Sequence, residues 1–190
     1  MPAPTDFFPQ GHLIEHHHPW QRVIVDPGGW MSAAGAIAEG RWTLLGLWGE
    51  KNAVHMALLD ESAGAIGIIS LEGLESGYPS VAQHHAPALR LERAIHDLVG
   101  LEAQGLPDTR PWLDHGCWEM RFPLGDRAAR SVDATPYKFL GAEGESLHQI
   151  PVGPVHAGII EPGHFRFTAN GETVVRLEER LGYVHKGIEA

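Results

Sequence analysis

Three successive strand-length stretches are predominantly apolar, Arg41–Trp48, Asn52–Leu59 and Ala65–Leu71. Short apolar stretches of that length, bounded by turn signals, predict strands. The links between them, Gly49-Glu50-Lys51 and Asp60 to Gly64, have hairpin length and turn chemistry, so the three strands form an antiparallel meander. Arg22–Val25 reads as a further strand, stopped by Asp26-Pro27-Gly28. Asp26 is a good N-cap and Pro27 suits the first helical position. The helix they start runs to about Glu39, with Trp30, Ala34, Ile37 and Ala38 inward and Gly40 ending it. A second helical pattern spans about Pro87 to Gly100, with Leu89, Leu91, Ile95, Leu98 and Val99 on its apolar side.

Outside these elements the pattern weakens. Pro2, Pro4, Pro9 and Pro19 predict an irregular arm over residues 1–20. Gln104–Trp118 is rich in Gly, Pro, Trp and His and predicts an ordered loop. Asp126–Glu145 is charged and aperiodic and predicts a linker. Farther on come a Gly/Pro-rich loop, an aromatic strand, a turn and a second strand. The expected architecture is α+β: an antiparallel meander flanked by two helices, a linker and a C-terminal β-hairpin. The expected boundaries are an arm at 1–20, an α+β domain at 21–118, a linker at 119–146 and a hairpin segment at 147–190.

Composition narrows the function classes. A formal net charge of −10 argues against a nucleic-acid partner, because phosphate binding needs clustered Lys and Arg. No apolar run approaches the ~20 residues of a transmembrane helix, so no direct membrane span is expected. Cys117 is the one cysteine, which excludes a disulfide framework and fits a reducing cytoplasm. Neighbouring His16, His17 and His18 lack the i, i+4 spacing of a helical metal site, and no metal ligand set is expected within these residues.

Two groups of residues carry candidate chemistry. On the second helix, Glu92 with His96 and Arg93 with Asp97 have i, i+4 spacing, which predicts surface ion pairs that pin the following loop. Trp112 and Trp118 on that loop suit either an interface or the core. In the run from Gly153 to Phe167, a glutamate and two histidines, His156, Glu161 and His164, can exchange protons. Equally, a Glu on a Gly/Pro loop can be solvated and a His there can bond to backbone.

Two segments resemble known families. Leu91–Leu101 followed by Gly105–Leu113 resembles the signature of the 30 kDa subunit family of complex I, a Glu-Arg helix followed by Gly-His-Pro-Asp-x-Arg. The match rests on Glu92, Arg93, Asp97, Gly100, Gly105, Pro107, Asp108 and Arg110; Leu106 and Val99 depart from it toward the hydrogenase branch. Residues 147–190 resemble the first hairpin of the large subunit of membrane-linked nickel–iron hydrogenases, and of the related quinone-site subunit of complex I. The chain is thereby expected to be the N-terminal docking portion of a group 4 hydrogenase large subunit, of the formate-hydrogenlyase or energy-converting type.

That resemblance implies structural or docking roles for Glu92, Arg93, Asp97, Gly100, Pro107, Asp108 and Arg110. It implies a proton relay at Glu161, in a Glu161-Pro162-Gly163-His164 element with an inserted proline, and quinone-side or proton-path roles for His156 and His164. It also implies an iron–sulfur small subunit as partner, and a cytoplasmic location peripheral to the inner membrane. A nickel–iron centre needs four cysteine thiolates, which suit such soft metals. With Cys117 alone, no cofactor is expected in residues 1–190; the centre is expected in the complete large subunit. The rival expectations are a fragment of a fused C/D subunit of a quinone-reducing complex, and a stand-alone scaffold complete at Ala190.

Overall fold

A computed structural model describes residues 4–114, 116, 118–126, 129–130, 138–157 and 159–184. The chain divides into two compact units, residues 1–134 and 135–188.

The first unit is built on a five-stranded sheet. Its strands are β1 (His12–Ile14), β2 (Gln21–Ile24), β3 (Thr43–Glu50), β4 (Ala53–Asp60) and β5 (Ala65–Glu72), in the order β1-β2-β5-β4-β3. The meander β3–β4–β5 is antiparallel as expected, but β2 joins β5 in parallel, Val23 opposite Ile69. That parallel pair is reached through helix α1 (Pro27–Ala38), because parallel neighbours need a long crossover. Asp26 caps α1, accepting from the Gly29 N–H at 2.7 Å.

Two short segments of the arm are regular, which corrects the expectation that its prolines break every element. Pro4–Phe7 forms one 3₁₀ turn, and β1 pairs antiparallel with β2. Pro4 and Thr5 are buried, and the Thr5 hydroxyl donates to Gln21 Oε1. The prolines lie outside β1 and β2, so they punctuate short elements rather than prevent them.

The core lies between α1, helix α2 (Leu89–Val99) and one sheet face. Trp30 is fully buried and donates its indole N–H to the Pro79 carbonyl. Tyr78 packs edge-on against it at 6.0 Å. α2 follows a 3₁₀ turn at Ala86–Ala88 and approaches β3 so closely that a Cβ on Gly49 would lie 2.7 Å from Ile95 Cγ2. It ends at Gly100, whose φ of +82° is the left-handed cap glycine favours. Two short strands, β6 (Gly77–Pro79) and β7 (Glu102–Gln104), then pair in parallel.

Part of the expected linker has defined structure. Strand β8 (Met120–Arg121) pairs with β9 (Ala129–Arg130), the Leu124 N–H donates to the Leu98 carbonyl, and Lys51 pairs with Asp126 at 2.7 Å. The backbone hydrogen bond explains what aperiodic composition could not show.

The second unit is a three-stranded antiparallel sheet of β10 (Leu147–Ala157), β11 (Ile160–Asn170) and β12 (Thr173–Arg180), in that order. The Gly/Pro run expected as a loop is instead paired strand, with Val155 opposite Gly163 and register irregularities on either side of Val155. Prolines at 151 and 154 are tolerated because β10 is an edge strand. One sheet face carries Ile150, Phe167 and Leu177 in register. The other carries Thr168, Arg176, Arg166 and Glu178, and is crossed by Phe139–Gly141. Arg176 donates to the Leu140 and Gly141 carbonyls, Gln149 donates to the Leu140 carbonyl, and Glu178 accepts the Leu140 N–H.

Candidate functional site

The densest polar cluster of the first unit surrounds α2. Here the expected surface ion pairs are corrected. Glu92 is fully buried, whereas Leu91, expected inward, is 37% exposed. Glu92 turns toward the preceding loop and accepts from the Ser80 hydroxyl and the Val81 and Ala82 N–H groups, all within 3.1 Å. Burial raises its pKa, and those three donors oppose the rise.

Arg93 and Asp97 turn toward the following loop. Arg93 donates to Asp108 at 3.2 Å and to the carbonyls of Arg110 and Pro111. Asp97 Oδ2 accepts from the backbone N–H groups of Trp112, Leu113 and Asp114. Burial alone would raise the Asp97 pKa, but the His96 contact and these N–H donors outweigh it and bring it below the ordinary value. Asp108 is held down to about 2, first by its hydrogen bond from Arg110. Trp112 is half-buried beneath two guanidinium groups, Arg90 at 4.8 Å and Arg93 at 5.3 Å.

The α2 carboxylates therefore hold one loop on each side by backbone donors, which fixes loop shape without any proton transfer. A cavity of about 220 Å³ opens beside them, with Ala103 and Leu106 as apolar lining and His96 and Arg110 at its polar wall. Gly100 caps the helix, and Pro107 lies exposed on the loop. The structure thus gathers Glu92, Arg93, Asp97, Asp108 and Arg110 around one helix.

The second-unit candidates are placed differently. Glu161 is exposed near the start of β11. His156 lies on β10, but its side chain is outside the described residues, as is Cys117. His164 is half-buried, with Nδ1 at 3.1 Å from the Gly153 carbonyl and the Phe139 ring at 5.1 Å. A carbonyl only accepts, so Nδ1 carries the hydrogen and Nε2 keeps its lone pair in the neutral ring. That Nε2 is buried without a hydrogen-bond partner among the described residues. No hydrogen bond between Glu161 and His164 is found among the described residues.

Sequence reasoning missed one buried network. His55 lies in β4, its Nδ1 2.8 Å from Ser70 Oγ, which also receives the Arg22 Nε–H. Trp48 stacks at 5.3 Å, and Glu50 lies 3.6 Å from Nε2. Burial, followed by the Arg22 charge, lowers the His55 pKa to about 4. The available signal was a histidine at a strand position between Val54 and Met56.

The chain has one cysteine, and the described residues hold no group of three His, Cys, Asp or Glu able to bind a metal. Among the described residues no helix is long and apolar enough to cross a membrane.

Residues 50–129 match the family described as respiratory-chain NADH dehydrogenase, 30 Kd subunit. The chain therefore carries a complex I 30 kDa-like domain, and it is similar to hydrogenase and NADH-quinone oxidoreductase subunits. In particular, it is 36% identical over 148 residues to hydrogenase-4 component G of Escherichia coli (strain K12), covering 72% of this chain and 27% of that one. It is 34% identical over 130 residues to formate hydrogenlyase subunit 5 of the same organism, covering 64% and 23%. It is 27% identical over 132 residues to the C/D subunit of NADH-quinone oxidoreductase from Phocaeicola vulgatus, covering 58% and 25%. The chain spans about a quarter of the length of these relatives.

Proposed function

We propose that this chain is the N-terminal docking portion of a hydrogenase large subunit. It would act in hydrogen and proton interconversion only within a larger iron–sulfur electron-transfer assembly, peripheral to the inner membrane. The observation that carries the reading is its 36% identity to hydrogenase-4 component G over 72% of the chain. The physical character of the first unit supports it. The α2 side chains are spent on holding loops, which suits a rigid surface for another subunit.

Glu161 is the proposed proton relay of the complete enzyme. Its exposure near the start of β11 leaves its carboxylate free to meet a neighbouring surface. The iron–sulfur small subunit is the proposed partner. Titrating the chain with that purified subunit should give a stoichiometric complex by native mass spectrometry. Failure to associate would remove the docking role. In a full-length enzyme, Glu161→Gln should leave assembly intact while slowing exchange between hydrogen and solvent deuterons; unchanged exchange would remove the relay.

A fused C/D subunit of a quinone-reducing complex is the second reading, favoured by the match to the Phocaeicola vulgatus relative. His156 and His164 would then face the quinone side. Selective binding of the iron–sulfur subunit of a quinone-reducing complex would decide for it.

A further inference from the structure

We propose that the face of the C-terminal sheet crossed by Phe139–Gly141 binds a small oxyanion that still carries a proton, of the hydrogen phosphate class. His164, Arg166 and Thr168 are alternate residues of β11 and so share that face. Each ends in a buried polar atom with no hydrogen-bond partner among the described residues: His164 Nε2, Arg166 Nε and Thr168 Oγ1. Thr168 is only 1% exposed, and an unmet hydroxyl at such a position is costly. Buried polar atoms are rarely left unpaired, so three in succession on one strand mark a place for a polar ligand. The facing carboxylate is already engaged. Glu178 lies opposite Arg166 in register, but its oxygens accept from the Leu140 N–H and from Arg176. The His164 imidazole and the Arg166 guanidinium flank one ring, Phe139, at 5.1 Å and 4.3 Å from its centre.

The three atoms select the ligand by what each needs. Arg166 Nε carries a hydrogen and calls for an acceptor, best a charged one. His164 Nδ1 gives its hydrogen to the Gly153 carbonyl, so Nε2 of the neutral ring calls for a donor. The Thr168 hydroxyl can serve either way. Hydrogen phosphate offers charged acceptor oxygens and one O–H, whereas sulfate of the same charge offers no donor. The charge of the face agrees. In register, Arg180 lies opposite His164 and Arg176 opposite Thr168, so with Arg166 three guanidinium groups surround the single Glu178 carboxylate. Entry is by rotation of the Phe139 ring, because the backbone of neighbouring Leu140 is held by Arg176, Gln149 and Glu178.

Isothermal titration calorimetry of the 190-residue chain with inorganic phosphate, near neutral pH and at constant ionic strength, tests this. The expected result is saturable binding at one site. Sulfate should bind at least about tenfold more weakly, the worth of one hydrogen bond at a charged group. Thr168→Val keeps the shape and removes the orphaned hydroxyl, and Arg166→Gln removes the charge. Each should keep the parent's far-UV circular dichroism and weaken phosphate binding by about tenfold or more. Glycerol phosphate separates two sources of the anion. Binding as tight as that of inorganic phosphate assigns the site to a phosphate monoester, and binding of inorganic phosphate alone assigns it to the free ion. No saturable binding would overturn the proposal and leave the three atoms to internal water. So would sulfate binding as tightly as phosphate, or phosphate binding that Arg166→Gln leaves unchanged. Association with an iron–sulfur subunit is a separate readout, so this proposal and the docking role can fail independently.

Discussion

At the residue scale, a carboxylate buried among backbone donors holds them only while both its oxygens accept. Glu92 Oε2 accepts from Ser80 and Ala82, and Oε1 from Val81. Glu92→Gln keeps the size but turns one acceptor into an NH₂ facing a donor. Its expected cost is about 2–3 kcal/mol, read as a lower urea midpoint at unchanged slope. A midpoint equal to the parent's would mean that the loop is held by something else. His55 supplies a pH test. Its folded pKa of about 4 lies below the ordinary histidine value near 6.5, so the unfolded chain binds the proton more readily. Its contribution is therefore complete above pH ~6.5 and fades as pH falls toward 4. Between pH 7 and pH 5 the loss should be about 2 kcal/mol. His55→Gln, which has no titrating ring to face Arg22, Glu50 and His17, should flatten that part of the stability profile. An equally steep profile would assign the loss to other groups. Neither arrangement is legible in sequence. Spacing i, i+4 on a helix says that two side chains can meet, but not that each has a better partner on a loop.

At the scale of the element, the helices and the meander were legible because each carries local chemistry that its structure uses. Asp26-Pro27 starts α1, Gly100 stops α2, and the three apolar stretches with their short turns form β3, β4 and β5. Gly100 is required by conformation and by space, since a Cβ there would meet the Phe122 ring at 3.0 Å with φ at +82°. Gly100→Ala should lower stability by at least about 1–2 kcal/mol, the cost of a left-handed alanine. A thermal midpoint equal to the parent's would show that the cap can relax. What could not be read was the inward face of α2, because two acidic residues there are buried and a leucine is not. Hydrophobic periodicity ranks residues by transfer cost, and a carboxylate with several backbone donors escapes that ranking. The parallel β2–β5 pair was hidden for another reason: a strand's own sequence carries no record of the neighbour it will find.

At the scale of the whole molecule, the division into two units has a spectroscopic signature. All six tryptophans, at positions 20, 30, 42, 48, 112 and 118, fall in residues 1–134, whereas β-structure is present in both units. Among the described residues, the three strands of the second unit have no helical layer and hold a smaller core than the five strands and two helices of the first. Urea unfolding followed by circular dichroism should therefore begin before unfolding followed by tryptophan fluorescence. Coincident curves would indicate one cooperative unit. The family of the first unit was legible because the α2 residues that clamp its loops are the same residues that form the motif. The parallel join of β2 to β5 also bears on how the chain is made. Val23 and Ile69 meet only after the intervening helix and two strands have been synthesised, so β2 must wait for its neighbour. Contacts of such long sequence separation close late and slow the folding of small domains. The first twenty-five residues should accordingly be the last part of the first unit to gain protection in pulsed hydrogen exchange, after the β3–β4–β5 meander is already formed.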